Sequence, residues 1–204
     1  MKIIRAERTD TDVFAKRELD HGACCFYSED KKNRYYFKIR GRKATLYTNA
    51  NRYIEEAIDE FLFYSGFIQI IQDVDGRVIA ARTPNAPYLY EVAQIQPSQF
   101  YVNEEKLEGC KKWIKSHADI VIPIVQKDGK SISLDGHTRL RAALDLGYPR
   151  VYVYLSPYDD TIFHFVEEAI RRGITSVADM ELVSDADYRR KWDQFCDDLF
   201  AGLP

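Results

Sequence analysis

The sequence lacks the features that would place it in a membrane, in a secretory pathway or around a structural metal. No apolar run is long enough to cross a bilayer, and residues 1–8 lack the apolar core of a signal peptide. The four cysteines, Cys24, Cys25, Cys110 and Cys196, include no pair at metal-ligand spacing and suggest no secreted disulfide framework. We therefore expect a reduced, cytoplasmic protein without a membrane partner, a disulfide or a structural metal.

The chain also lacks an excess of basic charge. Its 204 residues include 29 Lys and Arg against 32 Asp and Glu, which gives a net charge of −3. This balance argues against nucleic acid as an obligatory partner but leaves room for a local basic patch. With 46% hydrophobic and 30% charged residues, the composition is that of an ordinary globular protein with one large domain or two small ones.

Turn-forming residues mark a boundary near the middle of the chain. Residues 83–87 contain two prolines and an asparagine between two segments of periodic hydrophobicity. We predict a smaller mixed strand and helix domain over residues 1–87, a second domain over 88–155 and a C-terminal helical extension over 156–204. The predicted fold class is α+β, and nothing in the sequence assigns a role to residues 1–87.

The first half is predicted to consist of short aromatic strands around one helix. Apolar residues recur at helical spacing from Ile54 to Ser65, and Asp75-Gly76 is a typical hairpin turn. The predicted strands are Ala23–Tyr27, Tyr35–Ile39, Ala44–Tyr47, Phe67–Gln72 and Arg77–Ala81.

One part of this half is a candidate for binding nucleic acid. Basic residues at 31–34, Arg40, Arg42 and Lys43 surround the aromatic run at 35–37. We favour the alternative, a solvated hairpin whose aromatic residues belong to the core, because charge runs at turns are usually only solvated.

The second half alternates strands and helices. Ser156-Pro157 is expected to open a helix because proline suits the first helical position, and an aromatic stripe from Tyr188 to Leu199 predicts a final helix. The remaining predicted elements are a strand at Tyr88–Ile95 that Gln96-Pro97-Ser98 ends, a helix at Asn103–Lys115, a hairpin of Ile120–Gln126 and Lys130–Leu134, a helix around Leu140 to Leu146 and a strand at Arg150–Leu155.

Five small or polar residues, Asp135-Gly136-His137-Thr138-Arg139, lie where a predicted strand leads into a predicted helix. The unpaired N–H groups of a helix N-terminus favour anions, and Gly136 lets the backbone approach a phosphate closely. Arg139 can donate two hydrogen bonds to phosphate, and Asp135 can bind Mg²⁺ or accept a proton. The alternative is that Asp135 is only an N-cap and Arg139 only a surface cation.

A longer pattern surrounds this turn. Residues 95–98, the helix through Trp113, residues 122–125, residues 128–130 and residues 133–140 follow one another in an order that resembles the ParB/sulfiredoxin-like domain family. The resemblance covers about Glu91 to Leu155. It implies that a nucleotide phosphate rests at the junction between strand and helix.

The family is functionally divided, and the turn residues help to choose among its members. Sulfiredoxins have a reactive cysteine where this chain has His137, and the ParB partition motif matches only at Gly136 and Arg139. The free serine kinase motif, aspartate-glycine-histidine-histidine-arginine, matches with the single change to Thr138. The resemblance implies a nucleotide-binding protein, a kinase that uses ATP or ADP with Mg²⁺ on a small hydroxylated acceptor such as an amino acid. A ParB-type DNA-directed binding protein or nuclease is the alternative.

The resemblance also implies roles for individual residues. Gly136, His137, Thr138 and Arg139 would bind phosphate, and Asp135 would bind Mg²⁺ or orient the acceptor. A glutamate early in the domain would be the catalytic base, and Glu104 and Glu105 both fall in the comparable stretch. The alternative for both glutamates is a favourable interaction with the helix dipole in a first turn.

Overall fold

The computed structural model describes residues 2–6, 10–15, 18–19, 23–83 and 86–202. The chain divides into two compact units, Met1–Ala86 and Pro87–Pro204. The division falls in the proline-containing stretch at 83–87, of which residues 84 and 85 lie outside the described residues. Helices and strands mix in the second unit and helices end the chain, so the predicted α+β class with C-terminal helices is confirmed.

The first unit is built on one sheet whose strands follow chain order. Within the described residues six strands pair in the order β1 to β6, and every pairing is antiparallel except that of β4 with β5, which a helix connects. The predicted helix, the hairpin and the strands that correspond to β2, β3, β4 and β6 are confirmed, whereas the strand predicted at Phe67–Gln72 begins only at Ile70 and β1 was not predicted. The elements are β1 (Ile3–Arg5), β2 (Ala23–Ser28), β3 (Arg34–Arg40), β4 (Lys43–Thr48), α1 (Ile54–Tyr64), β5 (Ile70–Gln72) and β6 (Val78–Ala81).

Helix α1 covers one face of this sheet. Its buried Phe61 stacks on Phe37 of β3 with ring centroids 4.2 Å apart, and the buried Tyr35 donates its hydroxyl hydrogen bond to the carbonyl of Arg52 at 2.6 Å. On the other face, Val13 and Phe14 pack on the β2 end of the sheet. Two of the three residues in the aromatic run at 35–37 therefore belong to the core, as the favoured interpretation of that run predicts.

The adjacent cysteines of β2 face opposite sides of the sheet. Cys24 packs against the cluster under α1, whereas Cys25 packs with Val13 and Phe14. Cys25 is 5% exposed, and burial raises the pKa of its thiol to about 12. Side chains on opposite faces cannot form a disulfide without moving the strand.

We expect denatured protein to react with four equivalents of a thiol reagent, and native Cys25 to react the slowest because its thiol is buried and stays protonated. Mass spectrometry after timed alkylation measures both quantities, and Cys25→Ser identifies the slow site by reducing the denatured count to three. Fewer than four reactive thiols in denaturant, or early modification of Cys25, would show the prediction to be wrong.

The second unit combines a five-stranded sheet with helices and a small parallel pair. In the described residues the larger sheet has the order β7-β12-β10-β11-β8, and β9 pairs with β13. A π-helix, Arg189–Asp193, joins the last two helices. The elements are β7 (Tyr88–Glu91), β8 (Ile95–Pro97), β9 (Tyr101–Asn103), α2 (Glu104–Trp113), β10 (Val121–Lys127), β11 (Lys130–Ser133), α3 (His137–Asp145), β12 (Arg150–Leu155), α4 (Ile162–Arg171), β13 (Glu181–Val183), α5 (Asp185–Tyr188) and α6 (Gln194–Ala201).

Two predicted boundaries in this unit are wrong. The strand predicted at Tyr88–Ile95 ends at Glu91, and the segment predicted to end it forms β8, an edge strand parallel to β11. Pro97 is tolerated there because an edge strand can lack one N–H. The helix predicted from Ser156-Pro157 begins at Ile162, after a turn in which Asp159 accepts the N–H of Thr161 at 2.8 Å.

The C-terminal residues share the core of the second unit. Ala169, Ile174, Val177 and Met180 belong to the same buried cluster as Ile122. Farther along, the rings of Trp192 and Phe195 pack edge-on against the buried Phe100. Among the helices of the described ranges, none has the length and apolar character needed to span a bilayer.

Candidate functional site

Gly136 shapes the turn between β11 and α3. It occupies the N-cap position of the helix with φ 81°, and as a glycine it has no side chain that could cap the first turn. A Cβ atom here would lie 2.6 Å from Ile122 Cδ1 and 3.0 Å from Arg139 Nη2. The backbone is thus in a left-handed conformation and close to its neighbours, and both conditions require glycine.

His137 points from this turn into the core. The imidazole Nε2 accepts the N–H of Ser98 at 3.2 Å, and it lies 3.1 Å from Ser98 Oγ and 3.0 Å from Ser133 Oγ. Burial lowers the pKa of His137 to about 4, with Asp135 opposing the shift and Arg139 adding to it. The neutral ring therefore anchors the turn to Ser98, the residue after β8.

Arg139 and Asp135 are the charged groups of the turn. Arg139 donates from Nη1 to the Val121 carbonyl at 2.8 Å, and its Nη2 lies 3.4 Å from Asp135 Oδ2. The Arg139 side chain is 26% exposed and that of Asp135 is 61% exposed. The guanidinium is held in place by the end of a strand, and the long, exposed ion pair leaves both charges within reach of solvent. Thr138 is partly buried in the first helical turn beside them.

Tyr188, at the end of α5, hydrogen-bonds to Gln99, the residue after the Ser98 that contacts His137. Its hydroxyl oxygen accepts from Gln99 Nε2 at 3.3 Å. Burial raises the pKa of Tyr188, and the charges of Asp193 and Asp135 act in the same direction. The charge of Asp135 therefore reaches the Tyr188 ring, which keeps its proton at neutral pH.

The first turn of α2 approaches Tyr188 from another side. The N-cap Asn103 accepts the N–H of Lys106 at 3.0 Å and donates to Asp185 at 2.8 Å, and Lys106 Nζ lies 4.9 Å from the centre of the Tyr188 ring. The predicted base candidates Glu104 and Glu105 are exposed in this same turn. Tyr188 thus connects the α2 turn to Gln99, in the segment that follows β8.

The charged side chains of the turn lie at the surface. The described residues contain no group of three or more His, Cys, Asp or Glu side chains arranged to hold a metal ion. A cleft of about 230 Å³ exists at the other end of β11, away from Asp135. We assign the site to the turn because its charged groups converge there. The residues that line the cleft are Ala93, Gln94, Gln96, Lys130, Ile170 and Thr175.

Several residues of the site do not stand out in the sequence. Ser98 and Ser133 fall inside the segments that carry the family resemblance, and their roles become visible only through the contacts with His137. Tyr188 belongs to a stripe that predicts a core helix. A helical pattern cannot reveal that the hydroxyl group of this buried ring accepts a hydrogen bond from Gln99, which is 89 residues away in the chain.

Comparisons with known proteins leave the family open. No family model matches the chain, and no curated protein is significantly similar to it. One solved structure, protein Atu1540 from Agrobacterium tumefaciens, has 15% sequence identity and a TM-score of 0.34, with 47% of this chain and 61% of that chain covered. The chain thus spans less than two thirds of that protein, and a likeness at this level does not establish a shared fold.

Proposed function

We propose that residues 135–139 bind nucleotide phosphate groups and that the chain is a ParB/sulfiredoxin-like phosphotransferase. Its donor would be ATP or ADP with Mg²⁺, and its acceptor a small hydroxylated molecule such as an amino acid. One observation carries the proposal: the helix begins after a glycine, which has no side chain to cap it, and the same turn carries the partly exposed Arg139 guanidinium and the exposed Asp135 carboxylate.

The physical argument is one of charge and position. Phosphoryl transfer requires charge neutralisation and alignment more than covalent chemistry by the protein. The first N–H groups of α3 supply partial positive charge, and Arg139 adds a full charge that Val121 holds in place. The neutral His137 side chain contributes by fixing the backbone of the turn.

The residues present fit a magnesium ion that arrives with its nucleotide. Mg²⁺ usually keeps several waters and takes one or two carboxylates together with substrate phosphates, so a dedicated cluster of three protein ligands is not required. The exposed carboxylate of Asp135 is the group that would hold it. In this proposal Glu104 or Glu105 accepts the proton of the acceptor hydroxyl, and the Asp135 charge also orients the acceptor.

Arg139→Ala should weaken nucleotide binding by about 1.5–3 kcal/mol, the range for hydrogen bonds to charged groups. Calorimetric titration with ATP, ADP and CTP in the presence of Mg²⁺ measures this change. The matched variant Asp135→Asn should keep much of the affinity, because the amide preserves shape and most hydrogen bonds. Any phosphoryl transfer to added hydroxylated amino acids should fall strongly in that variant.

Circular dichroism controls for folding, since Arg139→Ala also removes the donor to the Val121 carbonyl. Arg139→Lys separates charge from geometry, because lysine restores the charge without the two-pronged donor. The proposal fails if the wild-type protein binds none of the three nucleotides with Mg²⁺, and Asp135 is then no more than part of a turn.

A further inference from the structure

We propose that the face opposite α1 on strands β3 and β4 of the first unit's sheet binds single-stranded nucleic acid. The platform consists of Tyr36 and Tyr47 together with Lys38, Arg40 and Lys43. It lies on strands β3 and β4 and is independent of the nucleotide site proposed above.

Strand alternation places these residues on one face. Tyr35 and Phe37 of β3 are buried under α1, so Tyr36, Lys38 and Arg40 point to the opposite side. The aromatic run of the sequence is thus divided: two rings lie under α1, and the middle one, Tyr36, lies on the opposite face, where it is partly buried against the cluster that contains Val13 and Phe14.

The strands of this sheet have an unusual charge distribution. Described strands β1 to β6 contain no aspartate or glutamate, and they carry five basic residues. Acidic residues of the unit lie elsewhere, for example on the exposed side of α1 at Glu55, Glu56, Asp59 and Glu60. Residues 1–86 contain 15 Lys and Arg against 13 Asp and Glu, whereas residues 87–204 contain 14 against 19. The net charge of −3 therefore conceals a mildly basic first unit.

The three platform cations lie close together. Arg40 and Lys43 are directly opposite each other across β3 and β4, and Lys38 is opposite Thr45 one row away. All three are exposed, and none makes an ion pair within the part of the chain that the structure describes. Like charges directly opposite each other destabilise a sheet. Protection of an edge does not explain them, because β3 and β4 are inner strands.

Aromatic rings stand at the other end of the same face. Tyr47 is 42% exposed, and its ring contacts that of Tyr36 with centroids 5.4 Å apart. From Tyr47 to Lys43 is four residues along β4, about 13 Å. A single-stranded nucleic acid can bind both ends of the platform. Its bases can stack on the exposed aromatic ring at one end, and its phosphates can bind the cations at the other.

The chemistry favours single strands over a duplex or an acidic protein. A duplex hides the faces of its bases, so it could use the cations but not the rings. An acidic peptide would have no flat group to stack on Tyr47. RNA and DNA both have the anionic backbone and the flat bases that this platform would bind, and the experiment compares them.

The test is fluorescence anisotropy of the full chain with labelled 12-nucleotide oligo-dT and oligo-U at several salt concentrations. Tyr47→Ala should raise Kd about tenfold, and Tyr47→Phe should restore binding. Lys38→Ala and Lys43→Ala should each reduce the slope of log K against log salt by about 0.7, the value for one phosphate contact on a single strand.

Matched controls lie away from the platform. Phe63→Ala removes a 74% exposed ring on α1, and Lys32→Ala removes a side chain that is 82% exposed in a loop; both should bind like wild type. An unlabelled duplex and inorganic polyphosphate should compete poorly. The proposal is overturned if wild type binds neither oligonucleotide, if the platform variants bind like wild type, or if polyphosphate competes as well as oligonucleotide, which would show an anion patch only.

Discussion

Gly136→Ala should lower the free energy of unfolding of the second unit by about 3 kcal/mol. A left-handed backbone costs a residue with a Cβ roughly 1–2 kcal/mol, and overpacking adds about 1–3 kcal/mol. Both apply here, since φ is 81° and the added methyl group would lie 2.6 Å from Ile122 Cδ1. Space at this position therefore matters as much as backbone conformation.

Gly129→Ala is the matched control for this prediction. Gly129 has φ 76°, but an added Cβ would meet nothing within 4 Å, so only the conformational cost of about 1–2 kcal/mol applies. Trp113 and Trp192, the two tryptophans of the chain, both lie in the second unit, and their fluorescence during urea unfolding reports on that unit. Equal losses in the two variants would show that the contact with Ile122 relaxes without cost.

We further expect the stability of the second unit to fall by about 3 kcal/mol between pH 7 and pH 4 through His137 alone. The pKa of His137 is about 4 in the fold and near 6.5 in an unfolded chain. The unfolded state therefore binds the proton first as the pH falls. The stabilisation is fully present above pH 6.5 and is lost progressively down to about pH 4, at about 1.36 kcal/mol for each pH unit.

The measurement is urea unfolding at several pH values for wild type and His137→Gln. Glutamine cannot titrate and can still accept the Ser98 N–H, so its stability should be lower at pH 7 but flatter between pH 6.5 and 4. The carboxylates contribute equally to the pH dependence of unfolding in both proteins, so the difference between the two curves isolates the contribution of His137. His164→Gln, at an exposed position of α4, should keep the wild-type slope. A His137→Gln curve parallel to that of wild type would contradict the prediction.

His137 also illustrates what the sequence could and could not predict at the site. The motif at 135–139 correctly indicates a turn between a strand and a helix. It cannot show that the imidazole is buried, because one partner, Ser98, is 39 residues away in the chain. Glycine at 136 is evident from sequence, whereas the contact with Ile122 that makes it necessary depends on the neighbouring strand.

In the fold, too, elements that depend on nearby residues are predictable from the sequence, whereas pairings between distant segments are not. Asp-Gly pairs predict both hairpins, and periodicity predicts α1 and α2, because these signals are local. The pairing of β8 with β11 and of β9 with β13 joins segments far apart in the chain, and β8 and β9 have only three residues each. Strands this short are stabilised mainly by pairing with distant strands. The sequence of residues 88–103 taken alone therefore predicts one strand followed by a break.

The contrasting strand orders of the two sheets have a consequence for synthesis on the ribosome. In the first unit each strand pairs with the next one in the chain, so the sheet can grow as the polypeptide emerges. In the second unit β9 must wait for β13, at residues 181–183, a delay of roughly 4–16 s at translation rates of about 5–20 residues per second. During that interval the nascent chain carries uncovered strand edges, and Gln99 meets its hydrogen-bond partner Tyr188 later still.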